Sequence, residues 1–583
     1  MHYGAFEVLD YVVIAVYLLA ITAIGIRAGY RRHASSEQYF LASKSLGWFT
    51  VGAAVFASNI STIHLVGLAA AGADQGLVVG NFEWMACYTL ILLALVFAPY
   101  YLRTRITTLP EFLEKRFGSP ARTILAVISI LAALLIHIGI SMFTAAKLFE
   151  SFLGIPMLYS ILVISLLTVT YTALGGLKAV VVTETIQVFL LLGSAIMVTA
   201  LSIAHLPALG IHSVTAFREA MKPEQLNMVQ SIVSQDGHFR DYSWLGILFG
   251  YPILGIWYWC TDQTHVQRVL GAKNEKNGQN GALFAGFLKL LPVFLMVFPG
   301  TVGYIMFRHG EVNLGSAAKP DYNLLLAGMI QQLVPVGLKG LVAAGMVAAL
   351  MSCMAAALNS CATLISVDIV KRLKPRMADT RVVTIGRWTT GVIMVLAMAW
   401  STQGGQFGTI FEAINKIPMT FAPAVTTVFL FGLLWKRGDL RAALATFGIG
   451  CTVGIVYFIV DLPSISRLLL GYFQPRRFQE LAAYLDADPS HNFLGLVTDP
   501  HFGLGIPFML FGAMLWGVCI AVYVGTSLMT SPPPRQKVDG VCWDHPLAFL
   551  RGRITGWSDP RMVALTLATV VTVLYVMNRL YCY

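Results

Sequence analysis

The chain has 583 residues, 57% of them hydrophobic and only 12% charged. Soluble domains carry about a quarter charged residues, so a soluble globular protein is excluded and the class is an all-α polytopic membrane protein. The net charge of +11 is spread over short loops between apolar runs, which points to membrane topology rather than to a nucleic-acid partner.

The first apolar run has neither the basic start nor the small-residue cleavage site of a signal peptide. Runs long enough to cross a bilayer lie at 8–30, 48–72, 80–101, 121–148, 155–174, 179–206, 243–264, 281–307, 328–369, 382–401, 409–435, 440–460, 503–528 and 561–580, an expected fourteen spans. Basic residues then fall in alternate loops: Arg27 to Lys44, Arg103 to Arg122, Lys178, Arg268 to Lys276, Lys371 to Arg381, Lys436 to Arg441, and Arg535 to Arg553. The positive-inside rule places these loops in the cytoplasm of a cell (inner) membrane protein and both termini outside. The long loops 207–242 and 461–502 fall outside, and 529–560, opened by Ser531-Pro-Pro-Pro534, is cytoplasmic. The eight cysteines form no CxxC pair and none falls in an outer loop, which argues against a disulfide framework or a zinc site.

Two spans carry internal breaks. In the second, Ser58, Asn59, Ser61, Thr62 and His64 interrupt the apolar run that starts at Gly52. Such residues either decorate a continuous helix or mark an unwound point whose freed carbonyls bind an ion. Five spans later, Gly250-Tyr-Pro252-Ile-Leu-Gly255 reads either as a kink or as the matching break of a second repeat. Paired breaks make spans 2–6 and 7–11 inverted repeats, 48–206 and 243–435, with a leading helix 8–30 and extra helices in 440–583.

Ionisable groups at membrane depth are costly and functional by default. Glu83, Lys289, His64 and Glu184 stand out. Glu83 and Lys289 form either a buried ion pair that holds the bundle or part of a cavity whose donors and acceptors suit a polyhydroxylated solute. Phe82, Trp257, Tyr258, Trp259 and Phe411 are aromatics that would wall such a site or simply pack. His137, alone in an apolar stretch, reads first as a histidine satisfied by a neighbour. The small-residue run before Asn359 allows close helix approach. Its Ser352 also offers an oxygen to a hard cation at the first break.

Seven runs together resemble the sodium–glucose cotransporters of the solute:sodium symporter family over nearly the whole chain. They are Tyr39-Phe-Leu-Ala-Ser-Lys-Ser45, Phe56-Ala-Ser-Asn-Ile60, Phe82-Glu-Trp84, Pro110-Glu-Phe-Leu-Glu-Lys-Arg116, Trp257-Tyr-Trp-Cys-Thr-Asp-Gln263 with Val266-Gln-Arg268, Phe287-Leu-Lys-Leu290, and Phe431-Gly-Leu-Leu-Trp-Lys-Arg437. The resemblance implies the leucine-transporter-type (LeuT) fold of two inverted five-helix repeats with discontinuous helices. It implies a sodium site at the carbonyls of Ala57, Ile60 and Ala349 and the Ser352 hydroxyl, with Cys353 at the position of a second hydroxyl. A further ion or proton site would involve Glu184 or His137, although Ala355 and Ala356 replace the hydroxyl pair that accompanies it. The sugar site would use Asn59, His64, Phe82, Glu83, Tyr258, Trp259 and Lys289, with Phe411 as lid. Asn415 replaces a glutamine and Gly255 a threonine or asparagine.

The expected activity is symport of about one sodium ion with a glucose- or galactose-like sugar by alternating access, without a cofactor. Rivals are proton coupling, an inositol or sugar-acid substrate, and a sensor with little transport. The sequence shows no nucleophile–base pair, phosphate loop or metal cluster of an enzyme.

Overall fold

The computed structural model describes residues 6–29, 35–233, 239–240, 242–316, 319–402, 415–462, 465, 504, 506–545, 547–551 and 553–582. These residues are mostly helical; the strands among them form a two-residue antiparallel ladder, Gly315–Ser316 with Lys319–Pro320, beside isolated bridges such as Leu46 with Ala272. The described residues contain ten helices long and apolar enough to cross a membrane, or eleven when one bent pair is counted as a single span. The molecule is a multi-pass membrane protein.

The elements that build the site are these. Helix α1 is Val8–Gly29. Helices α2, Trp48–Asn59, and α3, Thr62–Asp74, form the bent pair and meet at 61°. Then come α4, Leu77–Arg103; α5, Ser119–Glu150; and α6, Met157–Leu209. Helix α7 covers 246–261 and α8 is Gln263–Leu270. They are followed by α9, Glu275–Arg308; α10, Leu338–Leu373; and α11, Asp379–Ser401. Helices α12, Ala422–Leu434, α13, Leu440–Val460, α14, Phe508–Met529, and α15, Pro560–Cys582, complete the set.

Straight, α6 would be about 80 Å long, against a hydrocarbon core of about 30 Å. It instead doubles back at Gly176, whose φ of 57° and ψ of −154° interrupt the helix. A Cβ built on Gly25 of α1 would meet Tyr171 Cβ at 2.9 Å and Thr183 Cγ2 at 3.1 Å. In one straight helix those two residues would sit about 18 Å apart. The two arms therefore correspond to the expected runs 155–174 and 179–206. Tyr39 closes the bend, its hydroxyl donating to the Ala173 carbonyl at 2.8 Å.

The expected run 328–369 resolves into Leu325–Leu333 and α10, separated by a turn at 334–337. Asp10 of α1, fully buried, caps α10 by accepting from the backbone N–H of Gly337 at 2.8 Å and of Gly340 at 2.7 Å. The expected run 409–435 is described only from residue 415, with α12 as its helix.

The first break falls where the sequence places it; the second does not. Gly250–Gly255 stays helical, because the wide π-turn over Gly246–Gly250 lets Pro252 sit in the first turn of the helix that follows. The chain breaks at Asp262 (φ −86°, ψ 124°). There the carboxylate accepts from the Thr264 N–H at 2.8 Å and starts α8.

Candidate functional site

Helix α2 ends because its capping bonds are diverted. In a continuous helix the Ser61 N–H would bond the Ala57 carbonyl. It donates instead to His64 Nδ1 at 3.3 Å, so the imidazole caps α3. Ile60 lies between the halves with φ −74° and ψ 105°. Thr62 ties the second half to α10 through the Met346 carbonyl at 3.0 Å.

The freed Ala57 carbonyl faces α10. Ser352 Oγ lies 2.9 Å from both the Ala57 and the Ala349 carbonyl oxygens. A hydroxyl carries one proton and can donate to only one of them. The remaining oxygen–oxygen approach has no hydrogen to hold it. Three converging oxygens with one proton among them fit a hard cation. Cys353, the next residue, donates from Sγ to the His137 carbonyl at 3.4 Å.

One residue past Ser58, Asn59 organises the larger cavity. Its Oδ1 accepts from Lys289 Nζ at 2.6 Å, and its Nδ2 donates to the Tyr258 hydroxyl at 2.9 Å. His64 Nε2 lies 3.4 Å from the same nitrogen. Lys289, at the C-terminal end of the first half of α9, also pairs with Glu83 in the first turn of the Asn81–Leu92 segment of α4. The ammonium sits 5.4 Å from the centroid of the Trp259 ring. Lys289 and Glu83 are 1% and 2% exposed, so neither charge meets bulk water.

These side chains wall a single cavity. Asn59, His64, Phe82, Glu83, Tyr258, Trp259, Lys289 and Asn415 all line it; Ser61, His137, Tyr251, Trp257 and Cys353 join them. Phe411 falls outside the described residues. Gly255 also lines the cavity, and the room its missing side chain would leave is filled: a Cβ there would meet Thr89 Cγ2 and Tyr251 Cε1, each at 2.8 Å. Two π-helical stretches, Ala133–Ile140 and Ile256–Thr261, carry His137 and the Trp257–Trp259 aromatics. Such bulges recur at functional sites because they re-aim side chains without ending the helix.

His137 has the neighbour the sequence reading asks for: its Nε2 lies 2.6 Å from Asp262 Oδ2. Glu184 is not part of this assembly. It is fully buried against Arg268, which donates from Nη2 at 2.6 Å. Sequence reasoning missed Asp262 and His265. Asp262 was legible as an acid inside an apolar run; its pairing with a residue 125 positions earlier was not.

The model of the sodium:solute symporter family matches residues 39–450. The chain belongs to the sodium:solute symporter family. Among relatives of this symporter, sodium/myo-inositol cotransporter 2 of Bos taurus is 31% identical over 557 residues, covering 92% of this chain and 78% of that one. Sodium/glucose cotransporter 1 of Oryctolagus cuniculus is 29% identical over 560 residues, covering 92% and 81%. The structure of a Na+-coupled sialic acid symporter in a substrate-bound outward-open state superposes with a TM-score of 0.71 at 19% identity. It covers 90% of this chain and 99% of that one, and so shares the fold. The symporter described here is accordingly sodium-coupled and multi-pass, with the LeuT-like architecture of that neighbour.

Proposed function

We propose that the protein couples inward movement of about one sodium ion to uptake of a neutral polyol, a monosaccharide or an inositol, by alternating access. The observation that carries this reading is the wiring of the cavity. Among the described residues, the lysine and the carboxylate on its wall are paired, Lys289 with Glu83, and the His137 ring contacts Asp262. A sugar acid would need an unpaired cation there, whereas hydroxyls need groups that both give and take hydrogen bonds. Asn59, Tyr258, His64 and the Lys289–Glu83 pair supply both, and Trp259 offers a face to the ring. Two of the relatives named above are cotransporters of myo-inositol and of glucose, which keeps both polyols in view.

Sodium would bind at Ala57, Ile60, Ala349 and Ser352, while the Cys353 thiol donates to the His137 carbonyl. A second ion at Glu184 is disfavoured by Arg268 and by the methyl side chains of Ala355 and Ala356. Because Asn59 belongs to the same break as Ala57 and Ile60, an ion there would stabilise the polyol-competent arrangement, and coupling needs such a differential preference. One charge falling through about 100 mV supplies roughly 2.3 kcal/mol. A tenfold sodium gradient adds about 1.4 kcal/mol. Together they support several-hundredfold accumulation.

We further assign fourteen crossings with both termini outside. The second arm of α6, the broken α7–α8 pair and α12 supplement the eleven long spans, and the alternating basic loops agree with that count.

The test is uptake of labelled glucose, galactose and myo-inositol into proteoliposomes under sodium, potassium or proton gradients. Sodium-driven uptake of one of them is expected. Uptake driven by protons alone would remove the sodium assignment. Binding and counterflow of none of these polyols would remove the substrate class, and binding without counterflow would leave a sensor.

A further inference from the structure

Against the wall of the polyol cavity lies a group of three side chains of which the symport reading uses only the His137–Asp262 contact. His137, Asp262 and His265 each offer a ligand atom, and these atoms all lie within 4.8 Å of one another. The residues are 4%, 2% and 0% exposed. His137 and Asp262 are already in contact, and the His137 and His265 rings stand 5.5 Å apart at 89°. His265 is held from one side only: its Nδ1 lies 3.2 Å from Ser58 Oγ, while its Nε2 is buried with no hydrogen-bond partner among the described residues. A buried nitrogen left without a partner is costly, and each such case calls for an explanation.

We propose that these three residues form a transition-metal site that clamps the floor of the cavity. Two imidazoles and one carboxylate are a donor set for a borderline divalent cation such as Zn2+. Sodium would prefer the all-oxygen cluster at Ser352. The unpartnered His265 nitrogen becomes a ligand, and its Nδ1 contact with Ser58 orients the ring from behind, as outer partners of ligating histidines do. His137 lines the cavity, so a water or a polyol hydroxyl can reach the fourth position.

The ligands lie on three elements. His137 is on α5, Asp262 is the break between α7 and α8, and His265 is in the first turn of α8. A bound ion would tie that break to α5. The break is a hinge if the protein works by alternating access, so the clamp, though not the site, rests on the symport reading. An occupied site stops the cycle without occupying the sodium cluster.

The experiment uses the purified full chain with Zn2+ as probe and Mg2+ as control. Wild type should retain one zinc per chain after desalting, show a zinc-dependent rise in unfolding temperature, and be inhibited by zinc in the uptake assay. His265→Asn should weaken zinc binding by at least the about 10–100-fold that loss of an outer supporting group costs, with zinc-free uptake retained. His265→Gln provides a second test of the same ligand should the first variant fold poorly, and the visible spectrum of wild type loaded with Co2+ should be that of a tetrahedral site. Absence of bound zinc, or equal binding by wild type and both variants, overturns the site. Zinc bound at one per chain with uptake unchanged overturns the clamp. Zinc binding is read without substrate, so failure of every polyol to be taken up would fall on the symport reading alone.

Discussion

Asn59, Lys289 and Glu83 form a three-residue relay from α2 through α9 to α4. Removing one partner of a buried ion pair strands the other charge at a cost of about 3–5 kcal/mol. Lys289→Met and Glu83→Gln should therefore each lower the unfolding temperature as well as abolish uptake. The double variant should recover much of the stability and none of the transport, which paired melting curves and uptake assays would show. The proposed sodium cluster separates the two neighbouring residues of α10. Ser352→Ala should raise the sodium concentration for half-maximal uptake at least about tenfold, a change near 1.4 kcal/mol. Cys353→Ala should leave it nearly unchanged, because that thiol faces the His137 carbonyl. A sodium titration in which Cys353→Ala is the more damaged variant would contradict the assignment.

The elements that position the site are set by a few backbone necessities. Gly176 has a positive φ, and a Cβ there would approach the Tyr39 carbonyl oxygen to 2.4 Å. Its backbone, at φ 57° and ψ −154°, is essentially reserved for glycine and costs another residue about 1–3 kcal/mol, and forced overpacking about 1–3 more. Gly176→Ala should thus reduce the folded yield sharply, measured by fluorescence-detected size exclusion, while Gly193→Ala on the same helix, with open space at its Cβ, should not. Arg116 is a second case. Fully buried, it donates to the carbonyls of Gly432 at 2.8 Å and Trp435 at 3.0 Å, capping the end of α12. Two of the sequence runs that looked independent are therefore one contact. The first break was legible because polar residues cluster within a few positions. The second was misplaced because proline and glycine mark it no better than Asp262 does, and a π-turn absorbs the proline where it stands.

At the scale of the whole molecule, hydropathy and basic loops delimit the long spans well, since the bilayer imposes both length and charge. They do not reveal that residues 157–209 run as one chain of helix turned back at a single glycine, nor which distant residues meet. The cavity wall was foreseen largely through family resemblance; the His137–Asp262–His265 group, joined across three elements, has no spacing to betray it. Single-cysteine labelling from each side of sealed vesicles should place Ser531 and Lys178 on one face and Val214 on the other. Both chain ends should share the face of Val214. A reporter at either end that reads with Ser531 would overturn the fourteen-crossing assignment.

The Ala57 and Ala349 oxygens that face Ser352 belong to the main chain, whereas the groups around Asn59 that meet the cavity are side chains. Mutation rewrites side chains freely and leaves carbonyls in place. On this scaffold the menu of solutes can drift over evolutionary time while the driving ion stays the same. An engineer seeking a new cargo should therefore vary Asn415, and leave the bend at Ile60 untouched.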